Sequence, residues 1–187
     1  MNDEDAIRHA CQGDEAAWLA LVRKYQNPIF RLAYLLLGDA DEAEDLAQET
    51  LIRAYRSLDR FDATRPLRPW LLQITRNLAH NRRRSLQRYL AAVSRWWQQN
   101  PATASDPPST AGQLADAELL RQAVQQLARG DQEVIYLRYF LELSVAETAQ
   151  TLGVAEGTVK SRLARALNRL RTVIDAAYPH LREEVRS

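Results

Sequence analysis

The sequence predicts an all-α protein of two small helical domains joined by a flexible linker, the C-terminal one a helix-turn-helix. Apolar residues recur at intervals of three and four along nearly every periodic segment, and no alternating strand pattern of useful length occurs. A stretch of Pro, Ala, Ser, Thr and Asp at about residues 100–112 divides the chain, because it buries too little apolar surface to fold. Near the C-terminus, a capping signal, a small residue and a glycine follow one another at the spacing of a helix-turn-helix. The expected boundaries are a domain at 1–95, a linker at 96–113, a domain at 114–178 and a tail at 179–187.

The first predicted helix follows an apolar stripe that runs from Trp18 to Leu36. Pro28 interrupts the stripe and should kink or restart the helix, because proline lacks a backbone N–H and clashes with the preceding turn. Gly38 ends this helix, and an aspartate caps the next one, whose apolar face extends to Leu58. The two candidates for this cap are Asp39 and Asp41.

A loop and a third helix complete the N-terminal half. Residues 59–69 contain Pro66 and Pro69, which predicts a loop. Helical periodicity resumes near Trp70 and continues into the arginine cluster at 82–84. The third helix is therefore predicted to begin just after the second proline.

Length and composition exclude several classes of protein. The chain has 187 residues, of which 46% are hydrophobic and 26% charged, values ordinary for a soluble protein of one or two modest domains. Cys11 stands alone, which excludes an intramolecular disulfide and a cysteine-based zinc site. The longest apolar run, Leu32 to Leu37, is far shorter than the ~20 residues of a spanning helix, and the acidic first residues do not match a signal peptide. We expect a cytoplasmic protein with no cofactor, no bound metal and no membrane insertion.

The net charge of +1 hides four blocks of alternating sign. Their net charges are −7 for residues 1–50, +9 for 51–95, −4 for 96–155 and +3 for 156–187. Within the two basic blocks, six arginines at 76–95 and five basic residues at 160–171 are not interrupted by any acid. Helices there cannot neutralise themselves with pairs four residues apart. This favours two separate contacts with nucleic acid, and solvated basic faces are the alternative.

The strongest local signal lies in residues 143–163. Ser144 and Glu147 have the spacing of a capping box that begins a helix. Ala149 is small where two helices must touch, and Gly153 supplies the turn four residues later. The pattern predicts a DNA-binding helix-turn-helix, and an ordinary pair of antiparallel helices with a wet face is the alternative.

The second helix of this motif, residues 156–171, is predicted to be the recognition helix. Its apolar residues fall on one face: Val159, Leu163, Ala166 and Leu170. The opposite face carries hydroxyls and positive charges, which suits the major groove, with the first turns at base edges and the later arginines at phosphates. The predicted DNA-binding residues of this helix are Glu156, Thr158, Lys160, Ser161, Arg162, Arg165 and Arg169.

Both halves of the chain resemble the extracytoplasmic-function (group IV) sigma factors of the sigma-70 family, which serve bacterial RNA polymerase. In the C-terminal half, DQEVIYLRYF at 131–140, LS at 143–144 and GTVKSR at 157–162 are similar to the family's second DNA-binding domain, region 4. In the N-terminal half, DEAEDLAQETLIRAY at 41–55 resembles the core-polymerase-binding helix of region 2. WLLQITRNLAHN at 70–81 resembles the helix at the promoter-melting element.

The resemblance covers about residues 10–84 and 118–172, in the family's order. It implies a non-enzymatic subunit that binds the clamp coiled coil and the flap of core RNA polymerase and recognises the −10 and −35 elements of promoter DNA. It also implies an anti-sigma factor as a partner and no small-molecule substrate. The alternative is a free-standing helix-turn-helix regulator with an N-terminal sensor or dimerisation domain. An enzyme is the weakest hypothesis, because the three histidines are scattered and no Gly-rich phosphate loop occurs.

Two further sets of residues follow from the resemblance in the N-terminal half. The helix at 41–55 has an outward face of acids, an amide and an isoleucine, a composition plausible for protein docking. The implied core-polymerase-binding residues are Asp45, Gln48, Glu49, Ile52 and Arg56. The loop at 61–69 corresponds to the family's loop that captures a base flipped out of the non-template strand. The implied −10 DNA-binding residues are Arg65, Arg68, Arg76, Asn77, Asn81, Arg83 and Arg84.

The chain departs from the family pattern at three positions. Leu67-Arg68-Pro69 stands where Ser or Thr usually precedes the tryptophan, and Asn81 replaces a frequent aspartate. Ala155 replaces the usual serine at the start of the recognition helix, which removes a capping oxygen worth ~1 kcal/mol, partly offset by Glu156 on the helix dipole.

Two pairs of aromatic residues need separate expectations. Phe61 and Trp70 lie where a base could stack, but we expect both in the core. Trp96 and Trp97 stand at the edge of the linker, and we expect them to dock within the chain, with polymerase or an inhibitor as alternative partners.

Overall fold

The computed structural model describes residues 2–98 and 116–177, and within them the side chains of 2–85 and 119–177. Every regular element in these ranges is helical, as predicted. The helices are α1 (Asp3–Cys11), α2 (Glu15–Leu37), α3 (Ala40–Arg56), α4 (Leu67–Gln98), α5 (Asp116–Gln125), α6 (Arg129–Ile135), α7 (Val145–Leu152) and α8 (Glu156–Ala177). A 3₁₀ turn at Leu58–Arg60 follows α3, and a π-helical turn at Tyr136–Phe140 extends α6.

Helix α1 precedes the first helix that the sequence predicts. Asn2 caps it by accepting a hydrogen bond from Asp5 N at 2.7 Å. Its buried residues are Ala6, Ile7 and Ala10. These three residues have helical spacing, but a nine-residue segment with so few apolar positions is a weak signal beside the longer stripes, and this helix was not predicted from the sequence.

Helix α2 runs through Pro28 without restarting. Tyr25 and Ile29 are buried on either side of the proline, and Leu32 is buried one turn later. This packing holds the helix together across the hydrogen bond that the proline cannot donate. The sequence predicted a kink or a restart of the helix at Pro28, and the structure shows that the helix does not restart there.

The junction between α2 and α3 uses the signals that the sequence predicted. Gly38 ends α2 with a φ of 83°, the left-handed conformation that glycine adopts at low cost. Of the two candidate caps, Asp39 is the one used, because its carboxylate accepts a hydrogen bond from Glu42 N at 2.8 Å.

Helix α4 begins at Leu67, so the prediction that it starts near Trp70 was wrong. Leu67 is buried, and Pro69 lies in the first turn of the helix. A proline is tolerated there because the first backbone N–H groups of a helix have no intrahelical partner. The helix continues to Gln98, past residue 95 where the first domain was predicted to end.

The N-terminal half packs α1, α3 and α4 against α2. Its core takes buried residues from all four helices: Ala6, Ile7, Leu21, Tyr25, Ile29, Ala47, Ala54 and Leu71. Two buried threonines satisfy their hydroxyls within their own helices, since Thr50 donates to Leu46 O at 2.8 Å and Thr75 to Leu71 O at 2.9 Å. This core fixes α3 and α4 so that each turns a polar face outward.

Helices α7 and α8 form the predicted helix-turn-helix. Glu147 N donates to Ser144 Oγ at 3.1 Å, and Ser144 N donates to the Glu147 carboxylate at 2.8 Å, which completes the capping box. Gly153 ends α7 with a φ of 67°. The predicted inward residues of α8 are buried or half-buried: Val159, Leu163, Ala166 and Leu170.

The two halves of the chain pack against each other, chiefly through α4 and α7. One hydrophobic cluster contains residues of both halves: Leu36, Leu72 and Ala79 from the first, and Val134, Leu137 and Leu152 from the second. Thr151 of α7 is buried and its hydroxyl lies 3.5 Å from Pro69 O. The helix-turn-helix therefore rests on the helix that carries most of the predicted −10 residues, an arrangement that the sequence left open.

Candidate nucleic-acid and polymerase interfaces

The polar face of α8, here called the recognition face, is open to solvent along three turns. Among its predicted residues, five are exposed and two half-buried: Glu156, Lys160, Ser161, Arg165 and Arg169, then Thr158 and Arg162. The contacts of Ser161 and Arg165 are local, since Ser161 Oγ donates to Thr158 O at 3.1 Å and Arg165 Nε to Ser161 O at 3.2 Å. These hydroxyls and cations are placed where they can contact bases and phosphates.

Arg169 differs from the other cations of the recognition face because it has a buried partner. Its guanidinium forms an ion pair with the carboxylate of Asp131 on α6, whose side chain is 7% exposed. The pair ties α8 to α6. Arg169 is therefore a structural residue of the C-terminal half, in addition to its predicted role at DNA.

The outward face of α3, here called the docking face, contains the predicted polymerase-binding residues. Most of them are exposed: Asp45, Gln48, Ile52 and Arg56. Ile52 keeps 51% of its surface exposed, unusual for a large aliphatic residue on a helix with its own buried stripe. Glu49 is half-buried and pairs with Arg53 at 2.8 Å and with Arg82 of α4 at 3.6 Å.

The sequence missed one member of the docking face. Tyr55 is 49% exposed, and its ring packs against that of Trp18, with the centroids 5.1 Å apart. Next to Ile52, it enlarges the apolar part of the face. The signal was available, since Tyr55 lies three residues after Ile52 on the same helix.

The predicted −10 residues on the 65–84 segment, here called the melting surface, divide into two groups. Four of them are exposed: Arg65, Asn77, Asn81 and Arg84. Three are half-buried: Arg68, Arg76 and Arg83. The half-buried group lies toward the C-terminal half of the chain.

Arg68 and Arg76 both donate to that C-terminal half. Arg68 donates to Leu141 O at 2.8 Å, just beyond the π-helical turn. Arg76 Nε donates to the Glu133 carboxylate of α6 at 2.7 Å, and 21% of its side chain stays exposed. These two arginines of the melting surface are therefore engaged within the chain.

Glu133 is the centre of this contact. It is 4% exposed, and its carboxylate is bound by Arg76 and by His80, one turn apart on α4. Burial alone would raise the pKa of Glu133, but the hydrogen bonds from His80 and Arg76 outweigh it and leave that pKa below the usual range. Glu133 therefore favours the packed arrangement above the ordinary pKa of a glutamate, and this contribution is lost as the pH falls through the lowered pKa.

The loop before α4 is ordered by its own polar contacts. The Asp62 carboxylate accepts hydrogen bonds from Thr64 Oγ1 at 2.7 Å and from Thr64 N at 3.0 Å, and these bonds lower the pKa of Asp62. The rings of Phe61 and Trp70 lie 4.6 Å apart and pack against the N-terminal core. Both aromatic residues are partly buried against the core, on the side where the sequence predicted them, rather than fully inside it.

The described residues contain neither a metal-binding cluster nor a membrane-spanning helix. Within residues 2–98 and 116–177, no group of His, Cys, Asp and Glu has the geometry of a metal site. In the same part of the chain, no helix has the length and apolar character needed to cross a bilayer. The side chains of Trp96 and Trp97 and the predicted tail at 179–187 lie outside the described residues.

Comparison with protein families identifies both halves. The family described as Sigma-70 region 2 matches residues 21–89, and Sigma-70 region 4 matches residues 117–170. The first match contains the docking face and the melting surface, and the second contains the recognition face.

Two curated relatives match nearly end to end. The ECF RNA polymerase sigma factor SigW of Bacillus subtilis is 34% identical over 173 residues, which cover 88% of this chain and 92% of the relative. The ECF RNA polymerase sigma factor SigL of Mycobacterium tuberculosis is 37% identical over 169 residues, which cover 90% of this chain and 94% of the relative.

Two solved structures share the arrangement of helices. CnrH, in complex with the cytosolic domain of CnrY, superposes with a TM-score of 0.70 at 25% identity and covers 94% of this chain and 98% of its own. RpoE of Bartonella quintana, in complex with the anti-sigma factor NepR, gives a TM-score of 0.67 at 28% identity, covering 84% and 96%.

Proposed function

This chain belongs to the extracytoplasmic-function sigma factors of RNA polymerase, and we propose that it directs core polymerase to specific promoters by binding their −10 and −35 elements. The observation that carries the proposal is that one chain holds both a docking face on α3 and a recognition face on α8. A free-standing regulator needs the second face but not the first. The proposed role is that of a binding subunit without enzymatic activity, acting in the cytoplasm.

The docking face is proposed to bind the polymerase clamp. The exposed Asp45 and Gln48 and the half-buried Glu49 share this face with an apolar patch of Ile52 and Tyr55, and apolar and polar residues are combined in this way at protein interfaces. Asp45 and Glu49 supply the negative charge. The proposed contacts are Asp45, Gln48, Glu49, Ile52 and Arg56, together with Tyr55.

The recognition face is proposed to read the −35 element. Lys160, Ser161 and Arg165 are exposed in the first three turns of α8, where a recognition helix meets base edges and phosphates. Thr158 and Arg162 flank them, and Glu156 begins the helix. Arg169 is assigned to phosphate contact only through the part of its side chain that the pair with Asp131 leaves exposed.

The melting surface is proposed to bind the −10 element as a single strand. A basic groove tracks the phosphates of a single strand, and amide side chains can hydrogen-bond a base that has left the stack. Arg65, Asn77, Asn81 and Arg84 are exposed for this purpose. Arg68, Arg76 and Arg83 complete the set once they are free of the C-terminal half.

An anti-sigma factor is the proposed inhibitory partner. Both solved relatives described above are bound by a second protein, which the second structure names as an anti-sigma factor. Core polymerase and promoter DNA are the other two proposed partners, and no small-molecule substrate is proposed.

Run-off transcription with bacterial core polymerase tests the proposed function. We expect discrete new start sites on pooled genomic promoter fragments when the protein is added. Asp45→Lys combined with Glu49→Lys should abolish both these transcripts and co-purification with core polymerase. Glu15→Lys combined with Asp59→Lys, two exposed acids outside the docking face, makes the same charge change and should leave both intact.

The result against the proposal would be a protein that shifts promoter DNA but yields no transcripts and does not bind core polymerase. A free-standing regulator would then be the better assignment.

A further inference from the structure

We propose that Arg82 of α4 is a positioning residue for polymerase docking, because it holds the Glu49 carboxylate of the docking face in one orientation. The proposal rests on the role assigned above to the docking face, and it adds a residue from a different helix. The docking residues and the −10 residues predicted from the sequence do not include Arg82.

The three arginines of the cluster on α4 have different surroundings. Arg84 is exposed, and Arg83 lies in a crevice beside the C-terminal half. Arg82 instead reaches across to α3, where its guanidinium donates to Glu42 O at 3.1 Å and lies 3.6 Å from the Glu49 carboxylate. The contacts of Arg82 in the described structure therefore belong to the helix that carries the docking face.

Both contacts of Arg82 lie on one side of α3. Glu42 and Glu49 are seven residues apart, so they fall on the same side of the helix, two turns from each other. Asp45, another proposed polymerase contact, stands between them at spacings of three and four residues. Arg82 thus borders the docking face along the stretch that contains both of its proposed acidic contacts.

Glu49 is held by two cations and is still open to a partner. Its Oε1 accepts a hydrogen bond from Arg53 at 2.8 Å, whereas its Oε2 lies 3.6 Å from Arg82. The second distance is that of an ion pair and not of a hydrogen bond, so Oε2 can still accept a hydrogen bond from a partner. The Glu49 side chain is 37% exposed, which leaves it within reach of that partner.

Arg82 is better anchored than Arg53, the other cation on Glu49. Arg53 lies on the same helix as Glu49 and 54% of its side chain is exposed, and exposed pairs of this spacing are weak. Arg82 is 33% exposed and has a second bond to the α3 backbone. A glutamate that is already ordered by such a contact loses less rotamer freedom when a partner binds it.

Binding to core polymerase in the absence of DNA tests the proposal. Cys11 is the single cysteine of the chain and is exposed on α1, so a fluorescent maleimide labels the full-length protein at one position. Fluorescence anisotropy during titration with bacterial core polymerase gives the Kd. We expect Arg82→Ala to raise the Kd about three- to tenfold, the cost of ordering one flexible side chain on binding.

Two further variants separate the position of the charge from its presence. Arg82→Lys keeps the positive charge, but an ammonium lacks the planar fork with which arginine contacts two acceptors, so its Kd should stay closer to that of Arg82→Ala than to the wild type. Arg171→Ala is the matched control. It removes the same charge from an exposed arginine of α8 and should change the Kd less than twofold.

A double-mutant cycle with Glu49→Gln shows whether Arg82 acts through Glu49. Glu49→Gln removes the charged group that Arg82 holds and should itself weaken binding. In this background Arg82→Ala should raise the Kd less than twofold further, whereas a general loosening of α3 against α4 would cost the same in both backgrounds. Helicity by circular dichroism shows whether each variant is folded, and Arg82→Lys takes the place of Arg82→Ala in the cycle if the alanine variant does not fold.

Two results would overturn the role of Arg82. One is an Arg82→Ala variant that binds core polymerase as tightly as the wild type, and the other is an equal loss in both backgrounds of the cycle. Either result, obtained with a wild type that binds core polymerase, would leave the proposed function standing. A wild type that does not bind core polymerase would instead count against the docking face itself, and the role of Arg82 would be lost with it.

Discussion

The recognition face of α8 and the melting surface of α4 have the same kind of sequence but different surroundings. Each contains an arginine-rich stretch without any acid, at 160–171 on α8 and at 65–84 before and along α4. On α8, Lys160 and Arg165 are exposed and bind nothing beyond their own helix in the described structure. On α4, Arg68 and Arg76 are engaged by a distant part of the chain.

The difference lies in the acids that each stretch can reach. On the recognition face, only Arg169, near the C-terminal end of the face, is paired with Asp131. The residues in the first turns of α8 stay exposed to solvent. The melting surface meets Glu133 in its middle, through Arg76. Asp131 and Glu133 stand two residues apart on α6, so one short helix supplies an ionic partner to both α8 and α4.

The largest expected effect is on the affinity for duplex DNA, which should depend on the arginines of α8 and not on those of α4. In the free protein, Arg162→Ala combined with Arg165→Ala should weaken binding to duplex promoter DNA at least tenfold, because each lost contact to a base or phosphate costs ~1 kcal/mol or more. Arg68→Ala combined with Arg76→Ala should change it less than twofold. Electrophoretic mobility shift at ~100 mM salt measures both, and the steep salt dependence of phosphate contacts requires that the salt be held constant.

Arg171→Ala serves as the matched control for the α8 variant. Arg171 is exposed on the same helix but lies beyond Arg169, the last predicted DNA-binding residue, so its loss should have little effect. Equal losses from the α8 and α4 pairs would show that the two surfaces are equally accessible, and the comparison would fail.

The local parts of this architecture could be predicted from the sequence and the long-range parts could not. Gly38, Asp39 and the box of Ser144 and Glu147 act on neighbours within four residues, so their spacing alone reveals them. The bond between Arg76 and Glu133 joins residues 57 positions apart, and neither side chain carries a sign of its partner. Helix α1 was missed for a different reason, because only three apolar residues carry the helical spacing in its nine-residue length.

The start of α4 shows how a correct local rule can mislead. Pro66 and Pro69 favour a loop in isolation, and the prediction followed that rule. The buried Leu67 overrides it, because a proline in the first turn costs a helix no hydrogen bond. This error did not change the prediction that the site residues lie on helices. Which of them contact the C-terminal half depends on tertiary packing, which the sequence does not reveal.

The second prediction separates structure from recognition on α8. Arg169→Ala should lower the free energy of unfolding by about 2 kcal/mol, because it leaves the Asp131 carboxylate buried without its charged partner. Chemical denaturation measures the loss. Arg165→Ala is the control, since Arg165 is exposed and should change the stability by less than ~0.5 kcal/mol. If the two variants were equally stable, Arg169 would have no structural role.

The third prediction concerns Ala155, the residue just before the recognition helix. Thr158 N and Val159 N both donate to Ala155 O, so Ala155 occupies the cap position of α8 without a side-chain acceptor. Ala155→Ser should raise the free energy of unfolding by about 1 kcal/mol, which thermal denaturation can measure. Ala155→Val is the control and should not stabilise the protein, because valine offers no capping oxygen. A serine variant no more stable than the valine variant would contradict the assigned cap.

The smallest expected effect lies where the two domains meet. Tyr136 in the π-helical turn is fully buried, and within the described parts of the chain its hydroxyl has no hydrogen-bond partner. Burial raises the pKa of Tyr136 to about 12, while Arg121 and Arg83 act in the opposite direction, so the phenol stays neutral at physiological pH.

Tyr136→Phe removes a buried hydroxyl that has no hydrogen-bond partner in the described structure and keeps the ring that packs edge-on against Phe140, with the centroids 5.4 Å apart. It should leave the stability unchanged or raise it by up to ~1 kcal/mol in chemical denaturation. A clear loss of stability would mean that the hydroxyl is satisfied in solution, whereas Tyr136→Leu should be destabilising in either case because it removes the ring.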